Sequence, residues 1–487
     1  MLEDADIPRS PAWWLKRLGS ELADQRAGRK GNRTYQSRTT QSRDVPPGLD
    51  LLDSYLRNDM PLRGCPTDWE DRVRDVIRMG RLNVAALIVQ AKANRMELRD
   101  FRTAAEDDEL GDQVARDIAV FNDLPVKAYE ITTSALALRR GYGMVIPPAE
   151  GERFPRITSE DPKQVITAHD PVAGETIAGL KLYRDDWDAT DNAYLYVRED
   201  DGEVRKYVAR KPGASSIGTG RFVLSQKWEW VGDPETVPEK RMPIVRFRNR
   251  LDMGEFETHL DHLDRINDQI LNKLVISKLQ AFRQVALKGL PDTEEVEDDD
   301  GNVTEQDVDY DDAFAMEPGS FWQLPEGVDI WESTPTDFGP VRMAIKDDLE
   351  QVASATATPL NTITPDAANG SAEGASLMRE EHVAAVRACR TFMHAGWREL
   401  MSTAFAFMGD QQRSDITQIQ AIWGPIEQYG LQEKANAASQ ATGSLSRERI
   451  LTDIWQIPPA EVKAELRRLA GQALLAPGLG QPPSQQG

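Results

Sequence analysis

The chain has 487 residues, 40% of them hydrophobic, so it is long enough for about three domains that each bury a core. Its formal net charge is −22. It contains no apolar run of about eighteen residues, and its N-terminus lacks the apolar core and cleavage site of a signal peptide, so neither a membrane span nor secretion is predicted. The net negative charge argues against a broad basic face that binds nucleic acid tightly, because phosphate contacts need clustered Lys and Arg.

The first 45 residues contain a basic stretch, RKGNRTYQSRTTQSR, without apolar periodicity, and residues 1–45 are predicted to form an extended arm. Residues 46–250 are predicted to form an α+β domain that begins with helices, the last of which ends at Gly141. An antiparallel sheet is expected after it, because short β-branched and aromatic segments alternate there with Asp/Gly turns. The strand segments are TIAGLKLYRDD, AYLYVRED, EVRKYVAR and RFVLSQKWEWVG.

The strongest helical period lies in residues 251–285, after a short strand, PIVRFRN. Apolar residues recur there at steps of three or four, among them Ile270 and Leu274, so one face of a long helix is apolar. At about 1.5 Å per residue this helix would span roughly 45 Å, which favours a shaft over a core element. A second amphipathic helix is predicted over 338–358, and the two flank a small α/β module, 286–337, with an acidic insertion.

After the second helix comes a loop, residues 359–375, that is rich in Thr, Asn, Gly and Ser. Such a segment offers hydrogen-bonding groups on a flexible backbone without net positive charge, and an exposed connection without a special role is one interpretation of it. A long helix is predicted over 376–409, further helices over 410–470, and a disordered tail over 471–487.

This order of parts resembles the portal proteins of tailed bacteriophages, the head–tail connector family. The resemblance covers roughly residues 50–470 and lies in ALRRGYGMVIP before the sheet, PIVRFRNRLDMGEFETHLDHLDRINDQILNKLVISKLQAF, the insertion that follows, and TPLNTITPDAANGSAEGASLMREE before the long helix. It implies an α+β, portal-type fold with a mixed α/β wing (46–250). The parts implied after the wing are a two-helix stem (251–285 and 338–358), a small α/β clip (286–337), a tunnel loop (359–375), a long kinked wing helix (376–409) and a helical C-terminal wing or crown (410–470).

The same resemblance implies a function in the virion. Portal proteins form a ring, twelvefold in the assembled particle, at one capsid vertex, and double-stranded DNA is packaged and ejected through its channel. The expected partners are other copies of the chain, the DNA, the terminase large subunit, head–tail adaptor proteins, and the major capsid and scaffold proteins, without a membrane. Assembly would take place in the host cytoplasm, and no cofactor is implied.

Three groups of candidate site residues follow. The two stem helices have apolar stripes too long for one thin stalk to bury, which makes Ile270 and Leu274 candidates for the subunit interface. Arg342 and Lys346 on the second stem helix are candidates for lining the channel. The tunnel-loop residues expected to meet DNA are Asn361, Thr362, Thr364, Asn369, Gly370 and Ser371.

An enzymatic function is the alternative. The sequence has no GxxxxGK[ST], so the chain is not expected to hydrolyse ATP, and a separate motor is required. The Asp-rich tract 298–312 is the candidate centre of a metal-dependent nuclease, with weak divalent-ion binding a lesser alternative. His259 and His262 in HLDH also stand at a spacing that suits metal ligands on a helix. Because the carboxylates are contiguous and no third ligand cluster is evident, a solvated surface loop and polar helix face are favoured, and no metal site or catalytic residue is predicted.

Overall fold

The structure is a computed structural model. It describes residues 4–30, 33–35, 45–61, 75, 77–103, 105, 111–213, 222, 224, 227–280, 285–290, 293–297, 303–307, 327–332, 337–363, 372–427 and 429–475. The chain divides into two compact units. The first comprises Met1–Pro61, Asn83–Asp261 and Gln351–Gly487, and the second comprises Leu62–Leu82 and His262–Glu350.

Helices and strands are mixed, in agreement with the predicted α+β class. The helices are α1 (Pro11–Ala27), α2 (Leu49–Leu56), α3 (Val84–Ala93), α4 (Gln113–Phe121), α5 (Leu124–Leu138), α6 (Leu260–Gln280), α7 (Gly339–Ala355), α8 (Leu360–Ile363), α9 (Ala372–Phe407), α10 (Leu431–Ala441), α11 (Arg447–Arg449) and α12 (Pro459–Leu475). The strands are β1 (Arg29–Lys30), β2 (Arg33–Thr34), β3 (Leu98–Arg102), β4 (Arg140–Ile146), β5 (Arg156–Glu160), β6 (Val165–His169), β7 (Thr176–Asp185), β8 (Thr190–Arg198), β9 (Val204–Pro212), β10 (Glu229–Trp230), β11 (Glu235–Thr236), β12 (Ile244–Arg248), β13 (Val285–Lys288), β14 (Thr293–Glu297), β15 (Val303–Asp307), β16 (Asp329–Glu332) and β17 (Gln420–Trp423).

The larger sheet of the first unit is antiparallel, with the order β10-β9-β8-β7-β6 and β11 also paired to β9. The predicted strands at 176–186, 193–200 and 203–210 are thereby confirmed as β7, β8 and β9. The sheet buries one face under α1, whose Leu15 and Leu18 pack in one cluster with Leu180, Leu195 and Trp228. This cluster is one part of the first unit's core.

The extended arm predicted for residues 1–45 is wrong over α1. Ser10 caps that helix by accepting a hydrogen bond from the Trp13 amide, and Pro11 occupies the first turn, where it suits the helix. The helix ends at Gly28, whose φ of 66° is left-handed and whose added Cβ would lie 2.6 Å from the Gly48 amide nitrogen. An apolar stripe ahead of the basic stretch drives the helix onto the sheet.

A second antiparallel sheet, β12-β4-β5, packs against α9 and α5. Phe247 and Trp397 meet there with ring centroids 4.6 Å apart. Gly396 permits this approach, because a Cβ on it would lie 2.5 Å from the Phe247 ring. The helix predicted up to Gly141 ends earlier, at Leu138, since Arg139 has a φ of 74° and breaks the helical hydrogen bonding.

The first stem helix is shorter than predicted: α6 covers Leu260–Gln280 within the expected 251–285. Residues before it form short 3₁₀ turns, and three carboxylates in LDMGEFETH each pair there with a cation of the first unit. These pairs are Asp252 with Arg140, Glu255 with Lys92, and Glu257 with Arg139. At the other end, residues 285–288 belong to strand β13.

The clip segment, predicted as α/β over 286–337, contains strands and no helix in the residues that the structure describes there. β13 pairs with β16, and β14 pairs with β15, both antiparallel. The flanks of the acidic insertion, expected to be a loop, are thus strands, in keeping with their Thr and Val content. Asp298 and Asp300 lie outside the described residues.

The second stem helix, expected over 338–358, is α7 and ends at Ala355. The loop predicted over 359–375 is also shorter than expected, because α8 occupies its first residues and α9 begins at Ala372. In the C-terminal region predicted helices are present between 410 and 470, and Ser446 caps α11 by accepting from the Arg449 amide. The tail predicted to be disordered from residue 471 is wrong over its first residues, because α12 continues to Leu475. Strand β17 pairs antiparallel with β3, which joins the C-terminal region to an earlier segment of the first unit.

Candidate functional site

The candidate site is the point where the chain leaves α7 and enters the predicted tunnel loop; residues 356–363 are called the loop base. Ala357 there has a left-handed φ of 49°, and the Thr358 amide donates to the Ala353 carbonyl at 2.8 Å. These two features close the end of α7 with a tight turn. Thr356 and Thr358 are buried, and their hydroxyl oxygens lie 2.8 Å apart.

Lys92 on α3 connects the loop base to the core of the first unit. Its side chain is fully buried, donates to the Thr356 carbonyl at 2.7 Å and forms an ion pair with Glu255. The carbonyls at a helix C-terminus lack intrahelical donors and carry the negative end of the helix dipole, so a cation is favourable there. Lys92 therefore holds the end of α7 and neutralises a buried carboxylate at the same time.

Glu255 is shared by several donors. The Asn249 side-chain amide donates to Oε1 at 2.8 Å, and Arg250 Nη2 lies 3.1 Å from Oε2. Burial alone would raise the pKa of Glu255, but the charge and hydrogen bond of Lys92, the hydrogen bond of Asn249 and the charge of Arg250 lower it below its usual value. The carboxylate is therefore ionised and fully engaged at neutral pH.

Helix α9, which follows the loop, contributes His382 and Cys389 to the same buried network. His382 Nδ1 lies 2.9 Å from the Ala357 carbonyl, which can only accept, so Nδ1 carries the hydrogen. Burial, with the charges of Lys92 and Arg95, lowers the pKa of His382, which keeps the imidazole neutral. Cys389 Sγ lies 3.6 Å from Asn249 Oδ1, and burial raises the pKa of this thiol to about 12. The thiol is consequently protonated and is no nucleophile.

The predicted loop residues divide into two groups. Asn361 and Thr362 lie on α8, which contacts α3, and both are exposed. Thr364, Asn369, Gly370 and Ser371 lie outside the described residues. The start of the loop thus combines an anchored backbone with exposed amide and hydroxyl side chains.

The predicted stem residues belong to the second unit. Ile270 and Leu274 on α6 are half-buried, whereas Arg342 and Lys346 on α7 are exposed. Lys346 lies 3.7 Å from Glu350, one turn further along the same helix. Exposed cations and a partly uncovered apolar stripe are compatible with the predicted roles.

The two stem helices are bonded to each other within the second unit. Arg265 on α6 binds both carboxylate oxygens of Asp348 on α7, at 3.0 and 2.6 Å, and Gln269 donates to the same group at 2.9 Å. The forked guanidinium matches the carboxylate geometry, which makes this contact strong and directional. Helices α6 and α7 are therefore joined by a polar contact centred on Asp348.

The buried network around Lys92 was not anticipated from the sequence. One signal was present: Lys92 stands alone in the apolar run VAALIVQAKA, and a charge on a buried helix needs a partner. Its partners could not be identified, since they lie 163 and 264 residues away along the chain.

Among the residues that the structure describes, no group of three or more His, Cys, Asp or Glu is placed to hold a metal ion. No helix in the described part of the chain is both long and apolar enough to cross a membrane.

No family model and no curated protein matches the sequence. Among solved structures, the chain is similar to one described as "Neck of native GTA particle computed with C12 symmetry", with 13% identity, a TM-score of 0.40, and coverage of 90% of this chain and 98% of that chain. It is also similar to one described as "Neck of empty GTA particle computed with C6 symmetry", with 13% identity, a TM-score of 0.42, and coverage of 84% and 94%. TM-scores below 0.5 do not establish a shared fold.

Proposed function

We propose that the chain is a portal protein of a tailed-phage-type particle, which forms a ring around a channel for double-stranded DNA. One observation carries the proposal: two stem helices flank a small strand module, and the second of them leads into a loop whose base is fixed by a buried network. The sequence resemblance assigns this order of parts to portal proteins, and the stem pair α6–α7 and the long helix α9 support it.

The loop base suits contact with a moving duplex. Lys92 and His382 hold the backbone carbonyls of Thr356 and Ala357, so a force on the loop is resisted by buried bonds. Asn361 and Thr362 offer neutral hydrogen-bonding groups, which touch phosphates without the electrostatic attraction that would retain DNA. DNA would therefore slide past the loop without being held by it.

The chain itself would perform no catalysis in this function. The sequence contains no ATP-binding P-loop, so packaging requires the terminase large subunit as a separate motor. Head–tail adaptors and the capsid and scaffold proteins complete the proposed partners. The ring would be part of the virion at the portal vertex, assembled in the host cytoplasm.

Ring formation tests the proposal. Purified protein is expected to have a mass about twelve times 54.5 kDa, whereas a nuclease would have the mass of a monomer or dimer. Replacing Ile270 and Leu274 with Asp should give monomers that keep their helical circular dichroism. These half-buried apolar side chains would contact a neighbouring copy in the ring, and carboxylates in their place would prevent that contact.

The matched control adds the same two carboxylates at exposed positions of α6, in the double variant Asn272→Asp, Ser277→Asp. This control should form rings of the wild-type mass. A monomeric wild-type protein would refute the proposal, and rings formed by the Ile270/Leu274 variant would show that the stem is not the assembly surface.

The role of the loop is tested separately by deleting Asp366 to Gly370. Rings should form as in the wild type, since the stem and the loop base are unchanged, while packaged genome per particle should fall in a complementation assay. Normal packaging would reduce the loop to a passive connection, and failure to form rings would place it in the assembly interface.

A further inference from the structure

Three arginines lie together on one face of the sheet β12-β4-β5. Arg246 and Arg248 are two residues apart on β12 and so point to the same face, and Arg248 lies directly opposite Arg140 on β4. Like charges at directly opposite positions of an antiparallel pair are destabilising. Arg140, Arg246 and Arg248, called here the arginine cluster, therefore need anionic partners.

One such partner is built into the fold. Asp252 accepts from Arg140 Nε at 2.7 Å and contacts Nη2 of the same guanidinium. It is held in a turn where Leu251 and Asp252 both have left-handed φ values, 57° and 56°, a conformation that is costly for residues other than glycine. Burial would raise the pKa of Asp252, but Arg140, with Arg246 and Arg248, lowers it overall, so the carboxylate is ionised.

The second arginine of the cluster is not satisfied in this way. Arg246 is half-buried, and its guanidinium forms no hydrogen bond or ion pair with a group in the described part of the chain. Burial, with the charges of Arg140 and Arg248, lowers its pKa. Arg248 is exposed to solvent, which gives access to the cluster.

The neighbouring titratable groups leave the cluster positive. His169 on β6 adds no charge at neutral pH, because burial and the cluster's own field lower its pKa to about 4. Glu399 on α9 faces Arg246, but burial raises the pKa of this carboxyl. Three guanidiniums face two carboxyl groups, those of Asp252 and Glu399, so the cluster keeps a local surplus of at least one positive charge in a chain whose net charge is −22.

We propose that the arginine cluster is a binding site for a phosphate-type oxyanion, with Arg246 and Arg248 as its ligands and Arg140 oriented by Asp252. A phosphate group carries one to two negative charges and several acceptor oxygens, which match both the charge surplus and the forked donors of arginine. Free phosphate and the phosphodiester of nucleic acid share this chemistry. The inference is independent of the proposed portal function, since it rests on the first unit alone.

The test is isothermal titration of the full-length protein with inorganic phosphate at constant ionic strength, with chloride as the reference anion. The wild type should bind one phosphate per chain. The double variant Arg246→Gln, Arg248→Gln should bind at least tenfold more weakly, because both free guanidiniums are removed. The control Arg387→Gln removes one exposed charge from α9, away from the cluster, and should bind as the wild type.

A competing titration with a short DNA duplex distinguishes the two sources. Displacement of phosphate by the duplex would assign the site to a phosphodiester, and failure to displace it would assign the site to free phosphate. Circular dichroism checks the fold of each variant, and Arg248→Gln alone, at an exposed position, provides a second measurement if the double variant misfolds. No phosphate binding above the chloride reference, or unchanged affinity in the folded Arg248 and double variants, would overturn the proposal.

Discussion

Replacing Lys92 with Met is expected to destabilise the first unit strongly. Met keeps the apolar length of the side chain but removes the ammonium, which leaves Glu255 ionised in a buried position and the Thr356 carbonyl without its donor. Removing one partner of a buried ion pair costs about 3–5 kcal/mol. Asn249 and Arg250 still bind Glu255, so the expected loss lies near the lower end, at about 3 kcal/mol.

The assay is denaturant unfolding at fixed protein concentration, with the free-energy difference taken from the midpoint shift at a common slope. Lys346→Met is the matched control, since it removes the same group from an ion pair whose side chains are 63% and 44% exposed. Exposed ion pairs one helical turn apart contribute about 0.3–0.5 kcal/mol to stability, so the denaturation midpoint of the Lys346→Met control should change little. Equal shifts for the two variants would refute the role assigned to the buried pair.

The same pair predicts an acid dependence. The folded-state pKa of Glu255 is lowered, so its contribution is complete above the unfolded value of about 4.5 and is lost as the pH falls through the lower folded value. The stability difference between wild type and Lys92→Met should therefore shrink below about pH 4.5. A difference that stayed constant down to pH 3 would contradict this assignment.

Two further predictions concern buried titratable groups. His169 has a folded-state pKa of about 4 against a usual 6.5, so between these values the unfolded chain binds one proton more than the folded chain, and stability should fall as the pH decreases from 6.5 towards 4. The variant His169→Asn should therefore show a smaller fall in thermal midpoint between pH 7 and pH 5 than the wild type. An identical fall in the two proteins would count against the lowered pKa. Cys389, with a pKa of about 12, should resist thiol reagents in a Cys65→Ser background until the protein is unfolded, so rapid labelling of the folded protein would be inconsistent with its burial.

Elements with a long, regular apolar period were predictable from the sequence. Helices α7 and α9 lie within a few residues of their expected positions, and strands β7 to β9 follow from alternation between clear turns. Helix α6 lies inside its predicted range but begins at Leu260, where residue 251 was expected. Helix α1 was missed because the basic stretch after it dominated the composition of the segment. The end of α5 was misplaced because the chain turns at Arg139, a residue other than glycine with a φ of 74°, which no local signal marks. The side chain of Arg139 pairs there with Glu257, a contact between distant parts of the chain.

The candidate site was predictable only in part. Asn361 and Thr362 could be assigned to the exposed start of the loop from local composition and from the resemblance. The bonds that fix the loop base could not, because Lys92, Glu255 and His382 come from three separate segments and show no shared motif. Local periodicity reports which face of a helix is buried, whereas the pairing of buried charges is decided by tertiary packing.

The Lys92 contacts have a consequence for how the chain can vary in length. Glu255 precedes the long excursion His262–Glu350 into the second unit, and Thr356 follows it, so one ammonium holds both ends of that excursion within the first unit. Chain ends held close together are what domain insertion requires of a host fold. Residues can therefore be gained or lost in the excursion while its two points of attachment stay fixed, which lets the inserted module diverge independently of its host.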